Sequence, residues 1–344
     1  MKKLWLLFVK TYITIGLFFY FKKIEVRKHN KIPKDKPVLF LGNHQNALLD
    51  PLLIAVKSGR YAHFLTRAQV FKKPLVAKIL KSLQLIPVYR VRDGWQNISQ
   101  NNAIFSQCVG LLNKNEAVTI FPEGSHNLKR VVRPLSKGFT RIIFEVLETN
   151  PETELQLIPI GFNYKNAKAC PDEALLVFGE AIKAANYNFE NKHEAIKKVK
   201  SDIHIALSKL TTHIDGDDYD VVLNKLKGLN ANFLKPEEIN GCINSNFETC
   251  IGLSKERKKN SVKAFFKMLL IITCCAPYLV WKKIVQPKIK EIEFTSTFRF
   301  AIALVLVPLW LLIIASILYG SCGIFVAFIT IISILIIAIL AVKL

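Results

Sequence analysis

Three short segments of this chain carry the residue types that acid–base chemistry needs, and each follows an apolar run. The first is Gly42-Asn43-His44-Gln45-Asn46-Ala47-Leu48-Leu49-Asp50-Pro51. A carboxylate beside an imidazole accepts its Nδ1–H, fixes its tautomer and supports its protonated form. The other ring nitrogen is then free to take a proton from a hydroxyl. His44 and Asp50 suit these two roles if the loop between them folds back, since a six-residue separation does not place two side chains on one helical face. Asp50-Pro51 also suits a helix start, with Asp50 as N-cap and Pro51 in the first helical position. The second segment is Phe121-Pro122-Glu123-Gly124-Ser125. Its proline ends a strand ladder, and Gly124 permits a close backbone approach or a positive φ. Glu123 in such a turn either accepts hydrogen bonds from a polar substrate or holds neighbouring cations. The third, Ile86-Pro87-Val88-Tyr89-Arg90-Val91-Arg92, ends in arginines, whose forks match phosphate oxygens. Lys129, Arg130, Arg133 and Lys137 follow the Glu123 turn, and Lys137-Gly138 opens a helix whose free N–H groups favour anions. Cations converging on a candidate base imply a phosphorylated substrate.

These residues need a scaffold that presents strand ends side by side. The runs at 38–42, 62–66, 83–89, 117–122, 155–162 and 174–179 are apolar nearly throughout and read as strands buried on both faces. Residues 51–57, 74–82, 97–113, 138–148 and 192–210 read as intervening helices. The alternation predicts an α/β domain over 34–212, a mainly parallel sheet flanked by helices, with chemistry in the loops beyond the strand ends. Leu157-Ile158-Pro159-Ile160-Gly161 is a strand interrupted by proline and serves as a landmark.

Composition places this domain at a membrane. Hydrophobic residues make up 51% of the 344, concentrated at 4–21 and from 264 onward. The formal net charge of +22 favours polyanions. Basic residues beside apolar helices select an anionic lipid surface, where each contributes ~1 kcal/mol, and no motif for nucleic acid is present. Residues 1–33 read as a membrane-associated helix and a basic linker. The run 4–21 is long enough for a span or a signal peptide, but no small-residue cleavage site follows. Lysines at both of its ends favour a helix lying in the cytoplasmic leaflet. The membrane region at 263–344 combines an interfacial or re-entrant helix at 264–281 with a transmembrane hairpin, 300–319 and 324–342, turning at Gly320-Ser321-Cys322-Gly323. Residues 213–262 read as a polar helical linker; the acidic run 215–220 lacks the later glycine and glutamate of a calcium loop. Seven cysteines without Cys-x-x-Cys spacing read as free buried thiols in a reducing compartment.

Taken in order, NHQNALLDP, IPVYR, FPEGSHN and LIPIG resemble the four blocks of the glycerolipid acyltransferases, which include glycerol-3-phosphate and lysophosphatidate acyltransferases. The resemblance covers about residues 35–210. It implies His44 as catalytic base and Asp50 as its orienting partner. Arg90, Glu123, Gly124, Ser125 and Lys137 become the substrate-binding set, and Pro159 marks the block associated with the acyl donor. No metal or cofactor is implied beyond acyl-CoA or acyl carrier protein as co-substrate. Five residues separate His44 from Asp50, one more than the commonest pattern, as in the fungal-type glycerol-3-phosphate acyltransferases; the shorter spacing would place Leu49, which cannot serve. The partners expected are membrane lipids, the acyl carrier and a phosphorylated glycerol acceptor, with the catalytic domain on the cytoplasmic face. Another lysophospholipid or a lipid amine as acceptor, or a non-catalytic lipid-binding protein, are the competing readings.

Overall fold

The computed structural model describes residues 1–90, 99–187, 190–250 and 261–344. Helix α1 (Lys2–Tyr20) leads into strand β1 (Phe21–Lys28). Then come β2 (Val38–Gly42), α2 (Leu49–Lys57), β3 (Ala62–Arg67), α3 (Pro74–Ser82), β4 (Leu85–Val88), α4 (Asn101–Leu112) and β5 (Ala117–Ile120). The domain continues with α5 (Gly138–Thr149), β6 (Gln156–Tyr164), β7 (Asp172–Phe178), the short β8 (Ile182–Lys183) and α6 (Lys192–Leu210).

The sheet runs β1-β7-β6-β2-β5-β3-β4, with β8 on β6. From β6 to β4 every pairing is parallel, whereas β7 meets β6 antiparallel and β1 meets β7 parallel. Side chains on β2 alternate between faces: Leu39 and Leu41 join the core under α4, α5 and α6, while Val38 and Phe40 join the core under α2. Both cores bury residues to near zero exposure, which is why the central strands read as continuous apolar runs.

Several expectations shift. The sheet begins at Phe21, not at residue 34, because the stretch expected to be a basic linker forms β1. Its sequence FKKIEVRK puts charges on an edge strand, which blunts an edge, and those lysines looked like the flank of an apolar helix. Pro159 does not interrupt β6. The Pro159 carbonyl accepts from Gly179 N–H at 2.9 Å, so its missing N–H points into the gap where β8 pairing ends and β7 pairing begins.

Residues 213–250 are more than a solvated linker. Helices α7 (Tyr219–Gly228) and α8 (Pro236–Asn244) enclose a small core of Ile214, Tyr219, Leu226, Phe233 and Ile239. Cys242 and Cys250 are disulfide-bonded there, and Cys275 and Cys322 are exposed, so the expectation of seven free buried thiols is corrected.

Helices α9 (Ser261–Thr273) and α10 (Cys275–Leu279) meet at a break, and the pair Ser261–Thr273 and Cys275–Lys288 bends by 95° rather than forming one straight span. Next come α11 (Thr295–Cys322) and α12 (Ile324–Lys343), hinged at Gly323 with φ 84°. The turn is thus tighter than the four residues expected, because α11 stays helical through Gly320 and Ser321. By length and composition Lys2–Tyr20, Ile292–Cys322 and Ile324–Lys343 can each cross a membrane. Helix α1 also runs along the α/β domain. Tyr20 and Leu17 are buried, the Lys10 ammonium stands 5.5 Å from the Tyr61 ring, and Trp5 Nε1 donates to Ser82 Oγ at 3.2 Å.

Candidate active site

The carboxyl end of β2 delivers the first block. Gly42 ends the strand where a Cβ would come within 2.9 Å of the Phe162 ring and 3.1 Å of the Phe121 ring, so only glycine lets these aromatics close over the strand end. Asn43 follows and ties the loop to β6, with its Oδ1 accepting Phe162 N–H at 2.7 Å. His44 then stacks on Phe121 at 4.0 Å between centroids.

The loop does fold back. Ala47 takes φ 27°, Leu49 N–H donates to Asn46 C=O at 2.8 Å, and α2 begins at Leu49. Asp50 therefore lies inside the first turn of α2 and is not its N-cap, a position held by Leu48. Its carboxylate is instead turned toward His44, with Nδ1 and Asp50 Oδ2 2.8 Å apart. Two further donors hold it: Asn46 N–H on Oδ2 at 2.8 Å and Tyr164 O–H on Oδ1 at 2.5 Å. A carboxylate only accepts, so Nδ1 carries the hydrogen and Nε2 keeps its lone pair. Asp50 and Tyr164 are both at 0% exposure, and burial, followed by the neighbouring Asp50, pushes the Tyr164 phenol well above its usual pKa. Tyr164 therefore stays a donor. The sequence reading missed it and Asn46; Tyr164's one signal was the continuation of the β6 run past the fourth block.

β5 is the neighbour of β2 and carries the Glu123 turn alongside. Asn127 N–H donates to His44 C=O at 3.0 Å and Gln45 Nε2 donates to Leu128 C=O at 3.2 Å, which lock the two loops together. Gly124 has φ 71°, the left-handed conformation that glycine adopts without strain. The Glu123 side chain is 2% exposed, and Arg133 grips its Oε2 at 2.5 Å while also holding Ser125 Oγ at 2.6 Å. Glu123 Oε1 is buried with no hydrogen-bond partner among the described residues. Burial pushes the Glu123 carboxyl above its ordinary pKa and the Arg133 guanidinium pulls it back. Of the two roles open to Glu123 from sequence, holding a cation is realised through Oε2.

The cations sort themselves. Arg133 is committed to the Glu123 turn; Arg130 donates to Lys165 C=O at 3.0 Å and stacks 3.7 Å above Phe233; Lys129 lies 4.9 Å over Tyr219. Three of the four cations that follow the Glu123 turn thus contact the protein itself instead of standing free for phosphate. Lys137 is exposed at the N-terminus of α5, and Ser136 N–H donates to Pro122 C=O at 2.8 Å, bringing that helix end to the Glu123 turn. Arg90 stands just past β4, at the same edge of the sheet but three strands from β2, about 14 Å at the usual strand spacing. The Tyr89 backbone beside it is clamped on both sides by the Asn101 side chain, at 2.9 and 2.7 Å. Arg92 lies outside the described residues.

A histidine that the sequence reading did not single out completes the cluster. His126 meets His44 edge-on at 5.6 Å and Phe294 at 4.6 Å, and its buried Nδ1 has no hydrogen-bond partner among the described residues. Burial, and then the charge of His44, push its pKa down to about 4.

The acyltransferase family model matches residues 23–163, the stretch that carries all of these loops. This chain carries an acyltransferase-family domain. Its curated relatives include an uncharacterized acyltransferase of Schizosaccharomyces pombe, 27% identical over 125 residues, covering 35% of this chain and 18% of that protein. Glycerol-3-phosphate O-acyltransferase 1 of Saccharomyces cerevisiae is 25% identical over 115 residues, covering 32% of this chain and 15% of that protein. A probable 1-acyl-sn-glycerol-3-phosphate acyltransferase of Mycoplasma pneumoniae is 27% identical over 143 residues, covering 40% and 51%. The chain thus spans about half or less of the length of these relatives. Among solved structures, the 1-acyl-sn-glycerophosphate acyltransferase of Thermotoga maritima aligns at a TM-score of 0.46 with 18% identity, over 62% of this chain and 83% of that one. The acyltransferase domain of this chain therefore has relatives that act on glycerol-3-phosphate and on its 1-acyl ester, by the names they carry.

Proposed function

We propose that this protein transfers a fatty acyl group from a thioester, acyl-CoA or acyl carrier protein, to the hydroxyl of glycerol-3-phosphate or lysophosphatidate in phospholipid synthesis. The observation that carries the reading is the His44–Asp50 pair at 2.8 Å, with Asp50 fully buried on three donors. Such a pair supplies a general base whose bare Nε2 takes the acceptor's hydroxyl proton as the oxygen attacks the thioester carbonyl. The tetrahedral intermediate collapses, the thiolate leaves, and the proton on His44 returns to it. Asp50 stays ionised and steadies the imidazolium in between. Glu123 Oε1 accepts a hydrogen bond from a second acceptor hydroxyl, and Lys137 with the α5 N-terminus attracts the phosphate. Ser125 and Gly124 shape that turn, and Arg90 offers its charge farther along the edge.

No covalent acyl-enzyme and no metal is needed for this route. The apolar helices hold the domain at the bilayer, on the cytoplasmic face if the clustered lysines follow the positive-inside tendency. In that placement α1 lies in the leaflet against the domain. The reading is tested by supplying a palmitoyl thioester to membranes containing the protein, with glycerol-3-phosphate, dihydroxyacetone phosphate and lysophosphatidate offered in parallel. Acylation of at least one of these is expected; acylation of uncharged alcohols alone would overturn the proposed acceptor class.

A further inference from the structure

The C-terminal hairpin is built into the site. Thr297 Oγ1, in the first turn of α11, accepts the Leu48 N–H at 3.2 Å. The neighbouring Ser296 Oγ–H donates to Ala167 C=O at 2.5 Å, the same carbonyl that receives the Asn46 side-chain amide at 3.1 Å. Asn46 is in turn one of the three donors on Asp50. The loop that carries the base is thus fastened to a helix whose mean hydropathy reaches 2.8 and which lies wholly outside the residues matched by the family.

An aromatic path follows the same seam. Phe298 and Phe294 stand 6.0 Å apart, Phe294 and His126 4.6 Å, His126 and His44 5.6 Å. At its outer end Phe298 is 44% exposed and Leu48 37%, beside the exposed apolar side of α11. Apolar side chains left open next to a reacting group mark a surface that something apolar covers. Burial also keeps the His126 imidazole in this path deprotonated at neutral pH. On the other side of His44 the Glu123 turn, with its buried, unpartnered Oε1 and the exposed Lys137, is polar. The two reactants of the proposed transfer differ in the same way, one a hydrocarbon chain and the other a phosphoester.

We propose that the root of the hairpin, Phe294 and Phe298 together with Leu48, is the contact surface for the donor's acyl chain and guides it from the bilayer to His44. The proposal rests on the acyl-transfer reading of His44. Burial of methylenes against these rings then makes long chains better substrates than short ones, by a factor that depends on the rings.

The test compares palmitoyl and octanoyl thioesters on the full chain in lipid nanodiscs. Phe298→Ala is expected to lower the ratio of kcat/KM for palmitoyl over octanoyl about tenfold, roughly the loss of two methylenes' contact. Phe298→Leu is expected to restore most of it. A second measurement is independent of turnover: a palmitoyl thioester bearing a diazirine is irradiated with the His44→Ala protein. Adducts are expected at Leu48 and within 292–298, and adducts confined to the rest of the chain would overturn the assignment. An active enzyme whose chain-length ratio ignores Phe298 would sink the hairpin proposal alone. A wild-type protein with no thioester-dependent transfer would sink the activity on which it stands.

Discussion

Replacing Tyr164 by phenylalanine removes one oxygen from a place that solvent cannot reach. Tyr164 and Asp50 are at 0% exposure, so no water replaces the lost donor on Asp50 Oδ1. Hydrogen bonds to charged groups contribute about 1.5–3 kcal/mol, and a buried acceptor left bare costs a similar amount. The remaining contacts among the described residues, from Asn46 and His44, both fall on Oδ2, so the carboxylate loses the donor on its other oxygen. The folded protein is expected to lose about 1.5–3 kcal/mol. Freed to rotate, the carboxylate also orients the imidazole less well. If the full amount is expressed in the transition state, kcat falls about 10- to 100-fold. KM should change little, because Tyr164 lies behind Asp50 and away from any substrate. The assay is steady-state acyl transfer by membranes with kcat and KM resolved, alongside thermal unfolding in detergent. A Tyr164→Phe protein with wild-type kcat and stability would refute the reasoning, as would one whose defect lies wholly in KM.

Three further outcomes follow from the site. Arg133→Ala leaves the buried Glu123 carboxylate without its partner and should destabilise the fold by about 3 kcal/mol, read by thermal unfolding. Arg133→Lys keeps the charge but cannot span Glu123 and Ser125, so it should recover only part of that loss. His126 faces His44, Asp50, Glu291 and Glu293, and its folded pKa of about 4 lies below the ordinary histidine value of 6.5. A depressed folded pKa gives stability that is fully present above pH ~6.5 and drains away as pH falls toward 4. The stability advantage of wild type over His126→Gln should therefore shrink across that window in melting curves, and an advantage that grows on acidification would contradict the assignment.

How far the sequence reaches depends on whether a residue's partners are near it in the chain. β2, β5 and β6 were legible because each is buried on both faces and so carries apolar residues without a break. β1 was not, since FKKIEVRK is an edge strand whose pairing with β7 lies 150 residues away, from Lys23↔Glu173 onward. The His44–Asp50 pair was legible because six positions and a folded loop contain it. Tyr164 reaches Asp50 across 114 residues, and no local pattern announces such a contact. The basic stretch 129–137 is instructive in another way. Its composition pointed to phosphate, yet Arg130 and Arg133 serve the protein's own carbonyls, carboxylate and ring, because burial beside an acceptor competes with any ligand for a guanidinium. Nothing in the apolarity of 300–319 revealed that the residues just before it touch the catalytic loop.

The account stands on His44 acting as a base that Asp50 orients, and acyl transfer by membranes carrying His44→Ala tests this most directly. With expression and melting behaviour matched to wild type, the rate should fall at least about 100-fold at every acceptor concentration, the size of a general-base contribution. A His44→Ala protein that transfers acyl groups at the wild-type rate would contradict it.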